Sequence, residues 1–450
     1  MRLGGGCQSP HSVELLVEGR IYLGGRIVDA AVGVEGGRIV WIGKQSLAPP
    51  AEQVVKAGLR RLVLPGMVDM HVHMRDMGES EKEDWYTGTL SALAGGVTFV
   101  ADMPNTLPPA RSVRALEMKE RVAREKALVD YGLYAGLPET AEELVEMAEF
   151  GVVGLKLYPS DLESDVLVSV LRKAATLGVR VVAHAEDPVV LKLAERVGPK
   201  AVTAHGALRP VEAEEAGVWL LSYLCSRLNF RLHFTHVSSA KALKAALEYK
   251  AEASVTLDTA IHYLFLDESA VEKLGGLAKV NPPLRRPDDV HALRAALVSG
   301  AIDAVVRDHA PHRLEEKLRS EYDEIPPGFP GLETCLPLLL TLIAELRAPL
   351  SLIDLYSRKP AQLLRIPKGW IGVGADADFT LVNLNKKWVI RGDRLRSKAK
   401  YTPFEGFEVI GAVEKVFIRG VLAYDGGEVL VDAGFGRRYR PLNEPRWPEA

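Results

Sequence analysis

Eight short apolar, β-branched runs recur through the middle of the chain, near residues 67–73, 97–103, 129–135, 152–158, 179–184, 231–236, 253–257 and 302–308. Amphipathic helical patterns separate several of them, at 113–127, 141–150 and 240–249. Runs that stay apolar on both alternating faces suit parallel strands buried on both sides, with helices as the crossovers. Eight such units are the number that closes a (β/α)₈ barrel, and in that architecture reactive groups gather at the C-terminal ends of the strands.

The flanks have a different texture. Val13-Glu14-Leu15-Leu16-Val17 and Ile39-Val40-Trp41-Ile42 are short β-type segments punctuated by Gly24-Gly25 and Gly36-Gly37. Similar segments return in 379–382, 388–390 and 415–418. Glycine pairs between β-type runs mark tight turns. The chain is therefore expected to be an α/β protein: a (β/α)₈ TIM barrel over residues 65–365, with a small β-sandwich domain built from both termini, 1–64 and 366–450.

A net charge of -3 gives no electrostatic reason to expect nucleic acid or an anionic membrane surface as a partner, which leaves a small molecule as the expected substrate. Cys7, Cys225 and Cys335 are too far apart for a C-x-x-C metal motif and too few for a disulfide framework, as befits a reducing compartment. No apolar leader precedes Glu14, and the stretch 334–344 falls short of the roughly 18 residues a spanning helix needs. A cytoplasmic protein is expected.

The chemistry lies at the ends of the barrel runs. His71 and His73 close the first, Lys156 the fourth, His184 the fifth, His236 the sixth and Asp308 the eighth, with Asp69 just behind the first pair. Period-two alternation puts His71 and His73 on one face, where one metal ion can take both. An H-x-H pair alone is weak evidence, since isolated histidines more often sit in cores and Asp308 could cap a helix. Recurrence at strand ends gives the set its weight. Lys156 cannot bind a metal as an ammonium, but CO₂ added to its neutral amine gives a carbamate whose two oxygens can bridge two cations, and desolvation lowers the lysine pKa toward that chemistry.

Four motifs in order sharpen this reading: Pro65-Gly66-Met67-Val68-Asp69-Met70-His71-Val72-His73-Met74-Arg75, Asp102-Met103-Pro104-Asn105-Thr106, Lys279-Val280-Asn281-Pro282-Pro283-Leu284-Arg285, and Asp308-His309-Ala310-Pro311-His312. Together with Lys400-Tyr401-Thr402-Pro403-Phe404-Glu405-Gly406 they resemble the dihydroorotases of the amidohydrolase superfamily, over most of the chain. The resemblance implies that His71, His73, a carboxylated Lys156 and Asp308 bind one Zn²⁺, and that Lys156, His184 and His236 bind a second. It implies an attacking hydroxide between them, with Asp308 moving its proton to the leaving amide nitrogen. Arg75, Asn105 and His312 would hold a substrate carboxylate, and Asn281 would contact the ring. The implied reaction is the reversible cyclisation of N-carbamoyl-L-aspartate to L-dihydroorotate, a step of pyrimidine synthesis.

Two positions depart from the pattern. His262 stands in a stretch where many relatives have Pro and paired histidines, and Arg307 precedes Asp308 where a small polar residue is common. Strand alternation predicts that Arg307 faces outward, away from Asp308. The remaining histidines, His11, His205, His233, His291 and His309, are expected in core or surface roles. The Pro- and Gly-rich segment 313–330 has the composition of a mobile loop that closes over bound substrate. The alternatives are an allantoinase- or dihydropyrimidinase-type hydrolase of another cyclic amide, and an inactive scaffold for aspartate transcarbamoylase. A homodimer or association with that transcarbamoylase stays open.

Overall fold

The eight runs form eight parallel strands: Met67–Val72, Val97–Asp102, Asp130–Gly136, Gly154–Leu157, Arg180–Ala183, Arg231–Phe234, Val255–Ala260 and Ala304–Val306. In this computed structural model, which describes residues 12–443, they are hydrogen-bonded in sequence order into a single sheet. Cys7, His11 and the outermost parts of both terminal segments lie outside the described residues. The sheet curls until its last strand meets its first, where a parallel bridge joins Val72 to His309 and the His73 amide donates to the His309 carbonyl at 2.8 Å.

A side chain completes that seam. The buried Asp69 carboxylate accepts from the amides of His71 and Arg307, both at 3.1 Å, and from the Tyr356 hydroxyl at 2.8 Å. Asp69 thus substitutes for ladder bonds where the first and eighth strands are too splayed to pair, which assigns it a structural role. Burial raises its pKa to about 7 even so.

The crossover helices follow the periodicity that predicted them. Ala240–Lys250 buries Ala242, Leu243, Ala245 and Ala246 on one face, and the Ser239 hydroxyl accepts from the Ala242 amide at 3.2 Å to start it. Losing such a cap costs about 1 kcal/mol. The most apolar segment, Cys335–Leu346, is a helix buried on nearly every side. No helix among the described residues is long and apolar enough to cross a membrane.

The terminal segments share one hydrogen-bonded, nine-stranded sheet. Its pivot is Val13–Leu23, which pairs along its first half with Ala51–Lys56 and along its second with Arg61–Pro65. Arg61–Pro65 in turn pairs with Phe379–Val389, which joins the two ends of the chain. Val17, Ile21, Val32, Val63, Phe379 and Phe417 belong to a small core separate from that of the barrel. Only Gly66 lies between Arg61–Pro65 and the first barrel strand, so the sheet is anchored directly to the strand that carries His71 and His73. A second anchor is polar: the buried Lys368 ammonium lies 2.7 Å from Asp130, at the start of the third barrel strand, and 2.8 and 3.1 Å from Asp378 and Asp376.

Candidate metal centre

His71, His73, Lys156, His184, His236 and Asp308 all line one cavity of about 320 Å³ at the C-terminal mouth of the barrel. The strands deliver them, with His73, His184, His236 and Asp308 just past the last strand residue, and two of these four turn sharply to get there. His236 and Asp308 have left-handed backbones, with φ of 46° and 52°, as does Arg75 at 60°. Such conformations cost about 1–3 kcal/mol for residues other than glycine and persist only where surrounding structure enforces them. Here the Asp258 carboxylate accepts from the His236 amide at 2.5 Å.

Nε2 of His71 and Nε2 of His73 lie 3.5 and 3.4 Å from the same Asp308 oxygen. The other ring nitrogens are already committed. His71 Nδ1 is 2.6 Å from the Thr235 hydroxyl, which leans on Asp258 at 3.3 Å, and His73 Nδ1 is 2.7 Å from Asn105 Oδ1. Each ring therefore donates from Nδ1 and aims an Nε2 lone pair at a carboxylate, an arrangement that repels itself unless a cation lies between. The ligand atoms of His71, His73 and Asp308 fall within 4.8 Å of one another, and this group could hold a metal ion.

Beside it lies a second set. The His236 ring centroid is 5.0 Å from that of His71 and 4.6 Å from that of His184. Nδ1 of His236 and Nζ of Lys156 are buried without any hydrogen-bond partner. Orphaned buried nitrogens are rare in finished interiors, and two on one wall mark a place built for a group that is not protein. Burial brings the Lys156 amine down to about 7, and it holds His71 and His236 well below the ordinary histidine range, with the Lys156 charge adding to the effect on both and the His184 charge to that on His236. Burial pushes Asp308 upward, but positive charge at His71, His73 and His236 outweighs it and draws the carboxylate well below its ordinary range; with those rings neutral, a bound cation would have to supply that charge. Neutral imidazoles, an ionised carboxylate and an amine near neutrality are the protonation states that metal binding and carbamate formation require. The donor set fits divalent cations.

Three groups that the sequence did not single out, Glu186, Arg209 and Asp258, hold these residues in place. Glu186 Oε2 accepts from His184 Nε2 at 2.5 Å, which leaves Nδ1 as the free nitrogen of that ring. Arg209, which also lines the cavity, donates to Glu186. Burial raises Glu186, but Arg209 and His184 reverse that and hold it below the usual carboxylate range. Glu186 stands two residues after His184, so period-two alternation was the available signal. Arg209 follows a short helix, His205–Leu208, in a loop and gave none. Asp258, an acid inside an apolar strand, was legible as an oddity.

Arg75, Asn105, Asn281 and His312 line the same cavity. The buried Arg75 guanidinium is 3.1 Å from His312 Nε2 and donates to the Pro311 carbonyl at 3.2 Å. Burial and the Arg75 charge keep His312 neutral. Asn281 Oδ1 is a buried acceptor without a partner. Asn105 engages His73 as well as facing the cavity. Asp308 caps no helix, because the next one, Leu314–Lys317, starts after Arg313. His309 accepts from the Gly331 amide at 3.0 Å, His233 is 2.8 Å from Asp258, and His205 is 2.8 Å from the Tyr322 hydroxyl, so all three have structural partners.

Residues 62–423 match the model of the amidohydrolase family. The chain belongs to the amidohydrolase family. Among relatives of this amidohydrolase, the dihydroorotase of Methanosarcina acetivorans is 35% identical, the match covering 87% of this chain and 88% of the relative. That of Methanothermobacter thermautotrophicus is 36% identical, covering 91% and 94%. The solved structure of L-hydantoinase (dihydropyrimidinase) from Arthrobacter aurescens superposes on the amidohydrolase with a TM-score of 0.90 at 29% identity, over 95% of this chain and all of the other. The dihydropyrimidinase of Brevibacillus agri gives 0.88 at 28%, over 95% and 98%.

Proposed function

We propose that this amidohydrolase is a dihydroorotase, which closes N-carbamoyl-L-aspartate to L-dihydroorotate with loss of water and opens the ring in reverse. The observation that carries the reading is the buried Arg75 guanidinium, which shares one cavity with the histidine and aspartate cluster. An arginine fork is matched to a carboxylate, which both of these substrates bear and hydantoin and dihydrouracil lack. The curated relatives named dihydroorotase, at 35–36% identity, support it.

His71, His73, Asp308 and a carboxylated Lys156 would hold one zinc, and Lys156, His184 and His236 a second. When bound, such a pair supplies Lewis-acid polarisation of the ring carbonyl and acidifies a water molecule. The chain's own residues do the rest. Arg75, with Asn105 and His312, holds the substrate carboxylate, and Asn281 offers its free Oδ1 to a ring N–H. In ring opening Asp308 accepts the proton of the attacking water and delivers it to the amide nitrogen as the C–N bond breaks. In closure it takes that proton from the attacking nitrogen.

The solved hydantoinase and dihydropyrimidinase structures favour a second reading, hydrolysis of an uncharged cyclic amide by the same centre. Turnover of L-dihydroorotate, hydantoin, dihydrouracil and allantoin by the zinc-supplied protein separates the two. Dihydroorotate is expected to lead by roughly 100-fold or more in kcat/KM. An order led by hydantoin or dihydrouracil would transfer the assignment to the second reading.

A further inference from the structure

The N-terminal ends of barrel strands ordinarily serve stability, not chemistry. On this face, opposite the metal centre, a cavity of about 370 Å³ is lined by four arginines, Arg180, Arg231, Arg365 and Arg440, and by one acid, Glu149. Arg180 and Arg231 are the first residues of the fifth and sixth strands, and Arg365 directly follows the helix Arg358–Leu364.

What distinguishes this cluster is the lack of countercharge. Beneath the third strand, on the same face, Lys368 and Arg419 meet three carboxylates. Among the described residues none of the four cavity arginines has a carboxylate within ion-pair distance. The acid whose charge reaches Arg180, Asp303, is already paired with Lys250 at 2.7 Å. The hydrogen bonds the arginines do make are to neutral acceptors: Arg180 to the Leu363 carbonyl at 3.2 Å and the Thr256 hydroxyl at 3.3 Å, and Arg365 to the Asn443 carbonyl. These bonds fix two of the guanidinium groups in place without neutralising them. Burial and the neighbouring Arg231 charge lower Arg180 to about 10, and they act in the same direction on Arg365. Like charges held together in a cavity destabilise the fold unless an anion is drawn in, and planar N–H forks suit phosphate oxygens. The cavity has the volume of a small-molecule pocket.

We propose that this cavity binds a small phosphorylated anion, at a site separate from the catalytic one. Arg231 and Arg440 are exposed and carry no ion pair, so replacing them should leave the fold intact. The test is thermal unfolding of the full-length protein in inorganic phosphate, against sodium chloride of equal ionic strength. Phosphate should raise the melting temperature saturably, by on the order of 2 °C. The rise should vanish in Arg231→Ala/Arg440→Ala and in Arg231→Glu, and it should persist in Arg75→Ala. No rise, a rise that survives both arginine variants, or one abolished by Arg75→Ala would overturn the proposal. So would stabilisation by an acidic peptide when phosphate has no effect, which would make the site a protein contact.

Discussion

Nη1 of Arg307 donates to Nδ1 of His262 across 3.2 Å. The two residues that depart from the dihydroorotase pattern are therefore partners. Nη2 of the same guanidinium donates to the Pro330 carbonyl at 2.6 Å, and its Cζ lies 5.1 Å from the Phe329 ring centre. Arg307 does not line the cavity of the candidate metal centre, in keeping with the outward direction that strand alternation predicts, and it lies in packed interior instead of solvent.

This pairing sets a pH dependence. Burial, with Arg307 adding, lowers His262 to about 3 from an ordinary value near 6.5. Below pH 6.5 the unfolded chain takes up a proton that the folded chain refuses, so the stability contributed by neutral His262 is lost as pH falls toward 3. Between pH 6.5 and 5 the loss is about 2 kcal/mol. His262→Asn, whose Oδ1 can accept from Arg307, should flatten that limb of a urea-unfolding profile by a similar amount. An unchanged slope would show that His262 does not titrate in this way.

Arg307 should matter for stability and hardly at all for the proton chemistry of Asp308. Arg307→Thr leaves His262 and the Pro330 carbonyl without their donor and opens space beside Gly331, so a loss of about 3 kcal/mol is expected. The acid limb of the pH–rate profile should move by less than about half a unit. Gly331→Ala supplies the companion test, since a Cβ there would lie 1.7 Å from Arg307 Nε. It should destabilise the parent strongly and the Arg307→Thr background much less. A large shift of the acid limb in Arg307→Thr would contradict the geometry.

Glu186 fixes the His184 ring through Nε2. Glu186→Gln keeps the shape but can present its N–H₂ to His184 and weakens the hold on Arg209. Metal affinity should fall roughly 10- to 100-fold, read by competition with a chromophoric chelator, while the melting temperature of the metal-free protein changes little. Unaltered affinity would reduce Glu186 to a partner of Arg209 alone.

The barrel was legible because strands buried on both faces write continuous apolar runs, and the candidate ligands at their ends interrupt those runs with residues that no core wants. The runs nevertheless overreach. Residues 302–308 read as one strand, but the ladder ends at Val306, because Asp308 adopts a left-handed backbone that pairing forbids. His236, two residues past Phe234, repeats the pattern. Glu186 was visible in principle as the second member of a His-x-Glu pair. Arg209 was not, since only tertiary folding brings its loop to the mouth. The partner switch of Val13–Leu23 was also hidden, as both halves of that strand look alike in sequence.

The segment 313–330 is less free than its composition suggests. Nζ of the buried Lys317 donates to the carbonyls of Lys279, Pro326 and Gly328 at 3.0, 2.7 and 2.8 Å. Lys279 Nζ does the same for Tyr322 and Ile325 at 2.7 and 2.8 Å. These bonds hold Pro327 and Gly328 against the cavity, with Pro327 O 3.0 Å from His312 Nε2. Lys317→Met preserves bulk but strands the Pro326 carbonyl and takes one of two donors from those of Lys279 and Gly328, at about 1–3 kcal/mol of local stability. Protease cleavage within 318–326 should accelerate roughly tenfold or more, because cleavage tracks the population of the opened loop. Bound dihydroorotate should slow cleavage of the parent protein, and equal rates with and without it would count against a loop that closes over the substrate.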